Sequence, residues 1–363
     1  MTAAYDDRPS GRPFRIIYVE LTNVCNFTCD YCPIDRQTRK KATMSTGFAR
    51  SVLDQIADNE LTDTVTFHVM GEPYLHRDLA TLTAHAESRG LRVRLLTNGS
   101  LLNSKTTRAL FDAGLSYLEV GFRTPNESSF AMRLRGHSLS LDQYIARVKG
   151  LLEDKIRLQP RTTVAVKFFI RTKAAEMGLG DPYEHLTSER DNLAMAQLFR
   201  DFALDVARQE RLPIAAWEQV PVRVTDGSYE ILPGLILNWS RIQDFWMHEQ
   251  RGHRQAWKAV ACGCSAAFRD NFGILASGEV TTCCVDYDGR NVVGDLRKSS
   301  LLEILASDEA RRMKRSLQWF RPPTEFCREC KGGPTLTTSV LKQAATIYLD
   351  AKARILGRPV RTL

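Results

Sequence analysis

From residue 14 to about residue 220, short runs rich in β-branched and aromatic residues alternate with longer segments whose apolar residues recur every third or fourth position. The runs FRIIYVEL, TVTFHVMG, RVRLLTNG, SYLEVGF, TVAVKFFI and PIAAWEQV predict strands. Between them, TGFARSVLDQIAD, DLATLTAHAESRG, SKTTRALFDAG and SLDQYIARVKGLLED predict amphipathic helices. Strands alternating with helices imply parallel pairing through right-handed crossovers, hence an α/β fold. Six such units predict an incomplete barrel or a wound sheet.

The same pattern assigns faces. Successive strand residues point to opposite sides of a sheet, so if Leu118, Val120 and Phe122 meet the helices, Glu119 and Arg123 point into the barrel. The same count turns Glu20, His68, Arg94, Asn98, Lys167 and Arg171 inward. An interior that only packed would hold Val, Ile and Leu, so a polar site is expected at the C-terminal rim of the strands.

The alternation stops near residue 220. Residues 1–13 form an N-terminal extension and 14–220 the barrel, while 221–260, with Trp239, Phe245, Trp246 and Trp257, reads as a connector packing on it. Residues 261–335 carry six cysteines around a hairpin, ILASGEVTTCC, expected to turn at Ser277 and Gly278. Residues 336–363 read as a closing helix.

The 363 residues are 43% hydrophobic and 25% charged, ordinary globular usage. No stretch of about 18 apolar residues and no secretory start occurs, which places the chain in the cytoplasm with no membrane partner. The net charge of +8 is scattered over short runs such as TRKK and RRMKR without interleaved aromatics, so it predicts a solvated surface and no nucleic-acid partner. In a reducing compartment nine clustered cysteines point to metal or redox use.

Cys25, Cys29 and Cys32 lie in one short loop after the first strand. A disulfide uses two sulfurs and a closed zinc site four. Three thiolates can hold a cubane iron–sulfur cluster at three corners and leave one iron open. This C-x3-C-x2-C, with Tyr31 before its last cysteine, resembles the radical S-adenosylmethionine superfamily. The segment Met70-Gly71-Glu72, ending the second strand, is similar to that family's Gly-Gly-Glu motif, with Met70 in place of the first glycine. By that resemblance the segment binds the amino group of the methionine moiety, with Asn98 beside the cofactor. A family serine for the ribose is replaced by Gly121, with Arg123 the nearby candidate.

Cys264, Cys283, Cys327 and Cys330 resemble the ligands of a SPASM or twitch domain, implying one auxiliary [4Fe-4S] cluster; Cys262 and Cys284 are the alternates. The resemblance covers about residues 14 to 335. It implies a partial (β/α)6 barrel with a small C-terminal iron–sulfur domain, S-adenosylmethionine and a [4Fe-4S] cluster as cofactors, and a reducing partner such as flavodoxin or ferredoxin. A four-cysteine auxiliary cluster is suited to accept an electron, so the leading expectation is a dehydrogenase on a small molecule, similar to the aminocyclitol dehydrogenases of antibiotic biosynthesis. Glu119, Lys167 and Arg171 are then the candidate bases or hydroxyl binders. Modification of a ribosomally made peptide is the second reading. A zinc-stabilised basic binding protein is the third.

Overall fold

The computed structural model describes residues 11–134, 138–171, 184–224, 227–241, 257–264 and 267–356. One ten-stranded sheet runs through them in the order β10-β9-β8-β1-β2-β3-β4-β5-β7-β6. Its strands are β1 (Ile16–Val19), β2 (Thr64–Thr66), β3 (Arg92–Thr97), β4 (Tyr117–Val120), β5 (Thr163–Ile170), β6 (Gly227–Leu232), β7 (Leu235–Arg241), β8 (Asn271–Ile274), β9 (Glu279–Thr281) and β10 (Val292–Asp295). From β1 to β5 and on to β7 every pairing is parallel, as the alternation requires. Helices α1 (Thr46–Asp58), α2 (Leu79–Ser88), α3 (Ser104–Asp112) and α5 (Leu141–Leu158) make the crossovers, with the short α4 (Glu127–Ala131) ahead of α5. The fold is the expected α/β partial barrel.

Helix α5 shows how locally these elements are specified. Ser140 and Gln143 form a reciprocal cap at its start, and Gln159 ends it in the left-handed region at φ 46°. Its Tyr144, Val148, Leu151 and Leu152 bury against the outer face of the sheet, where Leu118, Val120, Phe122, Val164, Val166 and Phe168 belong to the same core. Glu119 and Lys167 therefore project from the other face, as the alternation predicts.

The sixth parallel strand differs from expectation. PIAAWEQV is not a strand: after the single-turn helix α6 (Glu184–Thr187) and the long α7 (Glu189–Gln209), Ala215–Glu218 form the single-turn helix α8. Ala-Ala-Trp-Glu contains no β-branched residue and favours a turn of helix. The sixth place belongs to β7, from what was expected to be a connector, which pairs with β5 over seven residues and brings β6 with it as an antiparallel hairpin. Trp239 of β7 is buried and stacks on Phe168 at 4.8 Å. Trp257 is half exposed, and Phe245 and Trp246 lie outside the described residues.

The C-terminal region is laid on the barrel's other edge. Strand β8 pairs in parallel with β1 along its whole length, and β9 returns through the expected hairpin, with Gly278 at φ +98° donating to Leu275 O at 2.8 Å. Helices α9 (Leu301–Leu305), α10 (Asp308–Gln318) and α11 (Glu325–Lys331) follow, and α12 (Leu336–Leu356) closes the chain. Helix α12 sits so close to the segment around Gly263 that a Cβ there would lie 2.0 Å from the Thr346 carbonyl oxygen. The buried Asp350 ties α12 to Arg269 and, within the helix, pairs with Arg354.

Candidate cofactor and substrate site

The loop that leaves β1 is folded by its polar residues before its cysteines matter. The Asn23 side chain donates to Lys40 O at 3.0 Å and accepts from Ala42 N–H at 2.7 Å, closing the loop on itself. Glu20, fully buried, takes a bidentate contact from Arg39 at 2.8 Å per nitrogen. Its oxygens also accept Met70 N–H at 3.1 Å and Ala276 N–H at 2.9 Å, so one carboxylate joins the cysteine loop, the end of β2 and the C-terminal hairpin.

Cys25, Cys29 and Cys32 are free thiols in this loop. Cys25 Sγ receives Phe27 N–H at 3.4 Å and Asn98 Nδ2 at 3.5 Å, and Cys32 N–H closes back on Cys29 O at 2.9 Å. Burial, with the neighbouring Glu72 and Cys29, pushes the Cys25 thiol up to about 12; burial and its fellow thiols push Cys32 up as well. Thiols so disposed ionise only when positive charge joins them. Part of that charge is already present. Arg133, 2% exposed, lies between the rings of Phe27 and Tyr144, 4.8 and 5.1 Å from their centres. Its guanidinium donates to Asn98 O at 3.1 Å and Tyr144 Oη at 3.2 Å, its backbone carbonyl accepts Thr28 N–H at 3.2 Å, and no carboxylate among the described residues pairs with it.

Met70, Gly71 and Glu72 lie against this loop. Gly71 adopts φ +77°, and a Cβ would lie 2.1 Å from Thr22 O, so only glycine fits. Glu72 N–H donates to Val24 O at 2.8 Å. The Glu72 carboxylate is buried and accepts Thr97 Oγ1 at 2.8 Å, Asn98 N–H at 2.6 Å and Tyr74 N–H at 3.1 Å. Burial raises it to about 7 against those bonds. About four acceptor directions serve three donors, leaving one without a donor among the described residues. Asn98 also contacts Asn26 Oδ1 at 3.0 Å, knitting the end of β3 to the cysteine loop.

On the inner face, Glu119 accepts Lys167 Nζ at 3.0 Å, Asn238 Nδ2 at 2.8 Å and Tyr117 Oη at 3.2 Å. Burial opposes its ionisation, but Lys167, Arg94 and Arg123 outweigh that and hold it down to about 2. A carboxylate so stabilised is a weak base, and Lys167 is its ion partner. Arg171 is exposed at the rim, its carbonyl accepting Arg241 at 2.7 Å. Arg123 stands over the Phe169 ring at 5.0 Å, and Phe169 meets Tyr31 edge-on at 5.7 Å. The buried Tyr31 hydroxyl has no hydrogen-bond partner among the described residues.

The six C-terminal cysteines divide. Thr324 caps α11, which carries Cys327 and Cys330 one turn apart on one face, and Asn291 Nδ2 reaches Cys327 Sγ at 3.4 Å. Cys262 and Cys283 are buried with Leu317 and Phe326, Cys264 alongside. Cys284, in the turn after β9, bonds Tyr18 of β1 and lies near Cys264, while burial lifts its thiol to about 11. Lys331 lies among these sulfurs; burial opposes its charge, but Cys264, Cys330, Cys262 and Cys283 more than restore it. Among the described residues no three Cys, His, Asp or Glu side chains are grouped as a single metal ion requires.

The radical SAM superfamily profile matches residues 19–164, and that of the SPASM iron-sulfur cluster-binding domain matches residues 262–331. The chain carries a radical SAM domain and a SPASM iron–sulfur domain. Its cofactors are accordingly [4Fe-4S] clusters and S-adenosylmethionine. It is similar to a PqqA peptide cyclase of Rhodopseudomonas palustris, 27% identical over 87% of this chain and 80% of that protein. A 2-deoxy-scyllo-inosamine dehydrogenase of Niallia circulans is 30% identical over 28% of this chain and 42% of that protein. Streptococcus suis SuiB bound to the precursor peptide SuiA superposes at TM-score 0.50 with 13% identity, over 92% of this chain and 71% of that one, and shares the fold. The radical SAM domain's residues fit an anionic cluster on their own chemistry: three free thiols, amide donors aimed at Cys25, and a buried guanidinium without a carboxylate. The SPASM domain offers the same combination in Lys331 and Asn291. Arg133, Tyr144, Asn26, Asn238 and Asn291 escaped the sequence reading. Only the face count could have found Asn238; Tyr144 shows in the apolar period of α5 as a core residue alone, and Arg133, Asn26 and Asn291 lie outside any periodic segment.

Proposed function

We propose that this radical SAM enzyme oxidises a peptide. The observation carrying this reading is the similarity to a peptide cyclase along 87% of the chain, where the dehydrogenase similarity spans 28%. Cys25, Cys29 and Cys32 hold the N-terminal cluster; Cys264, Cys283, Cys327 and Cys330 hold one auxiliary cluster. When bound, these groups supply reductive cleavage of S-adenosylmethionine to a 5'-deoxyadenosyl radical that takes a substrate hydrogen, and an outlet for the electron the substrate radical then gives up. The chain's own work is positional. Gly71 brings backbone close to the cysteine loop, the free acceptor direction of Glu72 receives the methionine amino group, and Tyr31 with Arg123 lines the mouth above it. A flavodoxin or ferredoxin in the cytoplasm serves as electron donor.

The second reading, a dehydrogenase of an aminocyclitol-like molecule, keeps the support of the Niallia circulans similarity. Its base is harder to find, because the pairing with Lys167 makes Glu119 a weak one.

Deuterium transfer distinguishes the two. Reconstituted, reduced protein with S-adenosylmethionine is offered a deuterated extract of the cells that make it, fractionated by size. Deuterium should enter 5'-deoxyadenosine from a fraction that protease treatment abolishes. Transfer from a protease-resistant small-molecule fraction alone would reject the peptide reading.

A further inference from the structure

On the inner face of the barrel, Arg94, Arg123 and Lys167 gather around the carboxylate of Glu119. Register places Glu119 opposite Leu96 and Ala165, and Lys167 opposite Asn238, so these side chains share one face. Three donors occupy Glu119, and Arg94 lies over the neighbouring Tyr117 ring at 4.7 Å. Glu119 is thus one anion among Arg94, Lys167 and Arg123. Lys167 is its direct partner. Arg123, two turns of the zigzag beyond Glu119, has no carboxylate partner among the described residues, and its Nε is buried without an acceptor. His68, at the end of β2, likewise has a buried Nδ1 without a partner. Burial, together with Arg123 and Lys167, keeps that imidazole neutral, its pKa lowered to about 4, which reports the sign of the field at the mouth.

Arg123 stands on Phe169, whose ring leans on Tyr31 of the cysteine loop. The position is beside the cofactor region and on the barrel axis side of β4. A guanidinium backed by an apolar ring, with an unused N–H, is an acceptor-seeking group, and planar anions suit it. We propose that Arg123 binds an anionic group of the substrate, a carboxylate or a phosphate, and that the barrel interior selects acidic substrates. This rests on the enzyme reading above and adds the charge class of the substrate to it.

The test uses the cluster-loaded protein with S-adenosylmethionine bound, titrated by calorimetry with two matched pairs: N-acetylglutamate methylamide against its glutamine counterpart, and inositol monophosphate against inositol. The charged member of at least one pair should bind about tenfold tighter or more, the scale of one charge-assisted hydrogen bond. Which pair responds tells carboxylate from phosphate. In Arg123→Gln the ratio should fall toward one, and in Arg123→Lys it should persist in part. Arg123→Met keeps the contact with Phe169, so a melting curve matching the parent separates loss of charge from loss of packing. Equal binding of charged and neutral members, no binding by any probe, or a charge preference that survives both Arg123→Gln and Arg123→Met overturns the proposal. So does displacement of S-adenosylmethionine by the charged probes, which would assign Arg123 to the cofactor's own carboxylate. Substrate-free cleavage of S-adenosylmethionine is followed in parallel; its failure with the charge preference intact would count against the enzyme reading alone.

Discussion

At the residue scale, the most exacting demand is made by Arg133. A cation removed from water without a carboxylate costs several kcal/mol, and here, among the described residues, two rings, the hydroxyls of Thr124 and Tyr144 and the Asn98 carbonyl receive it. The charge is compensated once the neighbouring thiolates and their cluster carry negative charge. A nearby cation stabilises the reduced, more negative state, so Arg133→Met should move the N-terminal cluster's potential negative while Arg133→Lys should not. A tenfold change in the reduced-to-oxidised ratio, about 59 mV for one electron, is the scale expected in an EPR-monitored titration. An unmoved potential in a folded Arg133→Met protein would remove Arg133 from this role. The sequence shows such residues unequally. Cys25, Cys29 and Cys32, the proposed ligands of one cluster, announce themselves because such ligands are closely spaced. Arg133 does not, because its partners Phe27, Asn98 and Tyr144 come from three other elements.

At the element scale, the alternation of the first five strands was legible because each buries one face against helices and shows the other to the interior. The sixth was not: a Pro-Gly turn between two short apolar runs decides it, and PIAAWEQV competes with those runs on composition. The hairpin at that turn meets α5 through Lys155, which donates to Pro160 O at 2.8 Å and is 7% exposed. A Cβ on Gly234, at φ +68°, would stand 2.9 Å from its Nζ. Burial lowers this ammonium to about 8, against the pull of Glu230. Unfolded, it titrates near its ordinary value of about 10.4. Between those values the unfolded chain binds the extra proton, so this contribution to stability grows as pH rises through the window and is lost as pH falls through about 8. Melting temperatures of the parent, measured against Lys155→Met, should therefore climb from about pH 8 to about pH 10. A constant difference across that range would show that Lys155 stays charged in the fold.

Across the whole molecule, Glu20 is the join. Strand alternation correctly turned it inward, yet nothing near it in sequence discloses Arg39, Met70 and Ala276 as its partners. Glu20→Gln leaves Arg39 buried without its counter-charge, and breaking a buried pair typically costs about 3–5 kcal/mol. Because the three partners belong to the cysteine loop, the barrel rim and the C-terminal hairpin, hydrogen exchange should rise in all three together. A rise confined to the loop of Arg39 would mean that the two halves are held by other contacts.

The pairing of β8 with β1 makes this more than a matter of stability. The strand that leads into Cys25 and the strand whose hairpin leads to Cys283 are neighbours in one ladder, joined by backbone hydrogen bonds from Ile16 to Val19. A hinge between two iron-bearing lobes would let their spacing breathe with substrate. A shared ladder makes that spacing a constant of the backbone, so on the proposed reading the interval an electron has to cross is set when the chain folds and stays the same whatever substrate occupies the barrel.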